Sequence, residues 1–249
     1  MKKILVIISI ILITITLGCN ETTEFSNGDD GDGGSTDDSV YSVDQGWDYF
    51  SDQYYNSARD EFNGVIDDND SAEEDVYMAY VGLGMCDLVS SNYNSAYSNF
   101  NQGLSDEFSV SNNFFSDYEK WACIGMLYCK AESTSGAQTV YSKYPVFEEI
   151  NISWNFPHNN SDLEITGINI YTLLAQMFVN ISDGTDNLSI DLVSGDEVQG
   201  SNGRDDYYEY AAFYLNEVVN YSDTINVALT SKAQNLISLV EDVLNININ

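Results

Sequence analysis

Residues 39–249 predict an all-α fold, a stack of helical hairpins with further helices at the C-terminal end. Three observations carry that expectation. Two segments align without gaps over more than twenty positions, Tyr80 to Leu104 and Trp121 to Tyr144. Ala58/Phe62/Ile66 and Ala96/Phe100/Leu104 each recur at i, i+4, i+8, which is one stripe of a helix. Near the C-terminus, Leu229, Ala233, Leu236, Val240, Val243 and Leu244 fall on one face, as in a helix that caps a stack of hairpins.

The elements follow in order. A first hairpin places Gly46, Tyr49, Tyr54, Ala58, Phe62 and Val65 in repeat positions, with Ser42 in the slot that a large aromatic fills elsewhere. The second uses Tyr80, Leu83, Gly84, Asp87, Ala96, Phe100 and Gly103; the third uses Trp121, Ile124, Gly125, Tyr128, Ala137, Tyr141 and Tyr144. Ala and Gly belong where two helices cross closely, and the aromatics fill the wedge between successive hairpins. The equivalent alanines Ala58, Ala96 and Ala137 stand 38 and 41 residues apart, and acidic insertions such as 67–75 account for the length.

A fourth first-type helix is expected over Ile168 to Val179, with Tyr171, Leu174, Ala175 and Phe178 in register but no clean second helix after it. Residues 151–167 contain Pro157 and Asn159-Asn160 and read as an extended loop. Residues 183–203 read as an acidic, Gly-rich connection, with a short strand at Leu188 to Val193. Helices are expected near Asp205–Tyr221 and Ala228–Asn245.

The order of large aromatic, Leu, Gly, Tyr, then Ala, Phe and Ala resembles the tetratricopeptide repeat, a helix–turn–helix of about 34 residues. Asp87 departs from that pattern, since Tyr is usual there, and the Pro customary between repeats is missing. The resemblance implies that the second, fifth, ninth and twelfth residues of each first helix line a concave surface. Here those are Val40, Val43, Trp47 and Phe50; Met78, Val81, Met85 and Leu88; then Glu119, Ala122, Met126 and Cys129. Such a surface is nearly all apolar and rich in Met, which suits an adaptable peptide or helix groove. The candidate partner-binding set is therefore Trp47, Phe50, Met78, Val81, Met85, Leu88 and Met126. The other occupant in view is the chain itself, with Ile168–Val179 or Leu229–Leu244 folding back.

The N-terminus reads as an address. Lys2 and Lys3 precede Ile4 to Leu17, a run of 14 mostly apolar residues. A spanning helix needs roughly 20 residues, so these flanks suit a signal peptide, residues 1–18. Leu17-Gly18-Cys19 with Asn20 next resembles the lipobox of bacterial lipoproteins, with Thr16 where Leu is usual. That resemblance implies lipidation of Cys19 and a lipid anchor, and Asn20 in place of Asp implies an outer-membrane destination, on its periplasmic or extracellular face. Residues 19–38, rich in Gly, Ser and Asp, form a self-repelling tether with an r.m.s. span of roughly 25 Å. The repeats are expected at 39–145 and a helical C-terminal half at 146–249.

Charge excludes several functions. The chain has 40 Asp+Glu against 8 Lys+Arg, a net charge of -32. No basic face for phosphates can be assembled, so nucleic acid is excluded as a partner, as is docking on anionic lipid through a polybasic patch. With 43% hydrophobic and 13% aromatic residues the body should nonetheless fold.

Chemistry is sparse. His158, the single histidine, follows Pro157 and reads as a solvated loop residue. No phosphate loop, nucleophile elbow, cofactor motif or zinc spacing occurs, so no cofactor, no metal site and no catalytic residue is expected. Cys86, Cys123 and Cys129 read as small buried hydrophobes, although Cys86 and Cys123 could pair across adjacent repeats. The expected function is that of a non-catalytic adaptor for envelope proteins or peptide segments. The alternative is capture of a solute or glycan for nutrient uptake, as in repeat-containing lipoproteins of that kind.

Overall fold

The computed structural model describes residues 41–111, 114–184, 203–244 and 248. These residues lie within one compact unit, 38–249. The segments read as signal peptide and tether, with Cys19, and also Val40 and the strand expected at Leu188 to Val193, lie outside them. The described residues are all-α apart from one isolated antiparallel bridge, Asn155 with Thr166.

The first hairpin is α1 (Val43–Ser51) and α2 (Tyr55–Asp67), the second α3 (Glu73–Val89) and α4 (Tyr93–Gln102), the third α5 (Asp117–Lys130) and α6 (Thr134–Tyr141). Within each pair the helices pack on each other; α1, α3 and α5 also pack side by side, and each second helix before α6 packs on the next first helix. This is the stack that the internal repeat predicts. Ser42, odd as a repeat residue, is the N-cap of α1, its Oγ accepting from the Gln45 amide at 3.5 Å.

The wedge is made by phenylalanine. A Cβ at Gly46 or at Gly82 would run into the Phe62 ring, and a Cβ at Gly84 or at Gly125 would run into Phe100. Each ring therefore sits between the first helix of its own hairpin and that of the next, where only a bare backbone leaves room. Both phenylalanines are fully buried. Two of the turns are built alike as well. At the end of α1 the Tyr54 amide donates to the Tyr49 carbonyl at 2.8 Å and Gln53 has φ 67°. At the end of α3 the Asn92 amide donates to the Asp87 carbonyl at 2.9 Å and Ser91 has φ 59°. These are left-handed helix stops of the Schellman type, repeated 38 residues apart.

A short helix, α7 (Tyr144–Phe147), leads to residues 151–166. That segment is not a plain extended loop; it is a small hairpin. Phe156 donates its amide to the Ile165 carbonyl at 3.0 Å, Asn160 donates to Leu163 at 3.0 Å, and Asn159 holds both the amide and the carbonyl of Ile165 with its side chain. α8 (Gly167–Gly184) then packs on α6 and α5, and α9 (Gly203–Ile225) packs along α8. A second helix thus follows the fourth first-type helix after all, separated from it by a long connection rather than a tight turn. Phe178 of α8 stacks on Tyr207, Tyr210 and Tyr214 of α9, with centroids 5.2–6.1 Å apart. α10 (Ser231–Leu244) covers α9 and α8, burying Ala233, Leu236 and Val240. Val243, expected on the buried face, is exposed.

Candidate functional site

The predicted lining residues do converge, but inside the protein. Trp47, Phe50, Val81, Met85, Ala122 and Met126 are between 0 and 2% exposed. Val43, Leu88 and Glu119 are buried too, and only Met78 and Cys129 keep partial exposure. Among the described residues the set therefore lines no open Met-rich groove, and only Leu88 and Cys129 reach a cleft. The chain covers the rest itself, and over Trp47 it does so with a segment that neither nominated helix contains. Phe156 lies 5.9 Å from Trp47 and 5.4 Å from Trp121, edge-on to both. His158 stacks on Trp47, centroids 4.5 Å apart and planes at 19°, and lies at 83° to the Trp121 ring, centroids 5.6 Å apart.

His158 is accordingly no solvated loop residue. It is half-buried, its Nδ1 is 3.4 Å from the Ser51 hydroxyl, and burial lowers its pKa against the opposing pull of Asp48 and Asp44. The hairpin tip is pinned beside it. Asn160 donates from Nδ2 to the Phe50 carbonyl at 3.0 Å, and Tyr55 donates its hydroxyl to Asp162 at 2.8 Å. That bond and burial push the Tyr55 phenol up to about 12, burial being the larger cause. The signal for this role was present in the sequence as Trp154, Phe156 and His158, three rings at alternate positions of the loop.

Two buried carboxylates have structural partners. Asp87 takes an ion pair from Arg59 of α2 at 2.8 Å and a hydrogen bond from Asn99 of α4 at 2.9 Å. Glu119 accepts from the Ser116 amide and hydroxyl and from Ser105, closing a capping box on α5. Cys86, Cys123 and Cys129 are free thiols, each pushed up to about 12, chiefly by burial. Thiols held protonated in this way are poor nucleophiles. Among the described residues no group of three His, Cys, Asp or Glu side chains could hold a metal ion.

One cleft of about 410 Å³ opens where the ends of α3 and α5 meet the starts of α4, α8 and α10. Leu88, Tyr93, Tyr128 and Leu173 give it apolar walls, and Asn169 and Thr230 supply polar groups. At its edge Lys232 pairs with Glu132, tying α10 to the end of α5. A cleft of that size is within the range of small-molecule sites.

Compared with known proteins, the chain matches no family model, no curated protein and no solved structure.

Proposed function

We propose that this chain is a lipid-anchored, tetratricopeptide-like scaffold of the cell envelope, whose work is to hold partner proteins rather than to catalyse. The observation that carries the reading is the hairpin stack, in which Phe62 and Phe100 lock successive first helices through paired glycines. A stack so built is a rigid body with a large surface, the form that repeat proteins use for interaction. The acids that its packing buries, Asp87 and Glu119, are committed to structural bonds.

With the concave face filled, the partner surface of this reading moves outward. Phe213 on α9 and Leu239 and Val243 on α10 are 56, 41 and 38% exposed. They stand on the terminal helices, where a stack offers an uncovered side. The anchor rests on Leu17-Gly18-Cys19, and Asn20 favours the outer membrane as its place. Two acyl chains anchor stably where one does not. A second reading, capture of a small solute, is favoured by the cleft beside Tyr93 and Tyr128.

In the source cells, a palmitate analogue should label the protein and lose its target in Cys19→Ser. Site-specific crosslinkers placed beside Phe213 and Leu239 should trap defined envelope proteins, and Phe213→Asp with Leu239→Asp should abolish those adducts. Absence of lipid label refutes the anchor. Absence of adducts, together with a thermal shift on adding small solutes that Tyr93→Ala removes, replaces the scaffold by the second reading.

A further inference from the structure

The hairpin 154–166 is fastened to the stack at its tip, and the fastening includes the chain's single histidine. The imidazole of His158 is boxed by Trp47 and Ser51 of α1, Trp121 of α5 and Phe156 of the hairpin itself. Three of those four neighbours are aromatic rings, and one hydroxyl at 3.4 Å is its hydrogen-bond partner. From α1, Asp44 and Asp48 face it with negative charge; from α5 the facing group is the uncharged Trp121. α2 contributes Tyr55, which holds Asn160 and Asp162 two and four residues further along.

We infer that His158 is an acid-sensitive latch: its protonation releases the hairpin tip, residues 156–160, from the Trp47–Trp121 face and exposes that face. The inference goes beyond the scaffold reading and holds whatever the partner is. An imidazolium needs more hydration than this half-buried box leaves it, and the stack on Trp47 and the two aspartates compensate only part of the loss. In the closed state the imidazole is therefore protonated less readily than in the open one. The sign follows. The open state binds the extra proton, so closure is fully favoured above the free imidazole value of about 6.5 and is lost as pH falls through the lowered value. Between the two values the open population rises up to about tenfold per pH unit.

The decisive experiment is hydrogen exchange of the whole chain, followed at backbone amides and at tryptophan indoles, at pH 7 and pH 5, corrected for intrinsic rates, on the wild type and on His158→Phe. The phenyl ring keeps the stack on Trp47 and cannot titrate. The expected result is faster exchange at pH 5 at the indole N–H of Trp47, which is buried beneath the tip in the wild type, with the backbone amides of α3 and α5 unchanged, and no such change in His158→Phe. Equal protection at both pH values overturns the latch. So does acceleration of the same size in His158→Phe, which would assign it to Asp44, Asp48 or Asp162, and so does acceleration shared by α3 and α5, which is global unfolding.

Discussion

Asp87 shows how a single departure from a repeat pattern is absorbed. A carboxylate in a packed helix position costs several kcal/mol unless it is paired and hydrogen-bonded. Here Arg59 reaches it from one neighbouring second helix and Asn99 from the other, so three helices share one charge. Removing one partner of a buried pair leaves the other charge uncompensated. Asp87→Ala should lower stability by about 3 kcal/mol in urea unfolding, the low end for buried pairs because Arg59 keeps some contact with water. Arg59→Met should cost about as much. The double variant Asp87→Leu/Arg59→Met should cost clearly less than the sum, and additive losses would show that the pair is not coupled. The glycines set a second residue-scale limit. Gly125→Ala drives a methyl group into Phe100 and should cost about 1–3 kcal/mol by overpacking, measured the same way; Gly125→Ala with Phe100→Leu should recover part of it.

At the scale of elements, two of the turns hold a non-glycine residue in a strained conformation. Gln53 and Ser91 hold left-handed φ values where glycine is the usual residue. Ser91→Gly should therefore raise stability by up to about 1 kcal/mol in the same unfolding assay, and a loss would mean that the Ser91 side chain makes a contact worth more than the strain. The repeat helices and their stacking order were legible beforehand because small and aromatic residues recur at fixed spacing. The hairpin over 151–166 was not, because side-chain bonds rather than an apolar alternation shape and place it. Asn159 clasps the backbone of Ile165 six residues on, and Asn160 reaches the backbone of α1 from 110 residues away. The second helix of the fourth hairpin was obscured for a related reason. α9 is aromatic on the side that meets Phe178, yet a long connection precedes it, so the spacing that identified the other pairs fails. The candidate groove was legible as a set of residues on one face but not in its occupancy, since Phe156 and His158 reach it from over a hundred residues beyond α1.

For the whole molecule, charge is the dominant feature outside the core. The net charge is -32, and each base whose side chain is described is tied locally: Arg59 to Asp87, Lys120 to Glu149, Lys130 over Tyr97, Lys143 over Phe108 and Lys232 to Glu132. The surface therefore repels itself. Raising salt from about 0.02 to about 0.3 M should increase the thermal midpoint, since the screening length falls through the distances between surface acids. A midpoint that falls with salt would mean that the ion pairs outweigh the repulsion. The packing of the stack, by contrast, is insensitive to salt, because its joints are rings against glycine backbone.

The chain itself covers Met85 and Met126, and methionine oxidation reads that cover directly. Brief treatment of the native protein with hydrogen peroxide, followed by peptide mass mapping, compares Met78, which is partly exposed, with Met85 and Met126, which are 0 and 1% exposed. Sulfoxide should form at Met78 while Met85 and Met126 are spared until the protein unfolds. Oxidation of Met85 and Met126 at the rate of Met78 in the folded protein would contradict it, and would return an open Met-lined groove to the molecule.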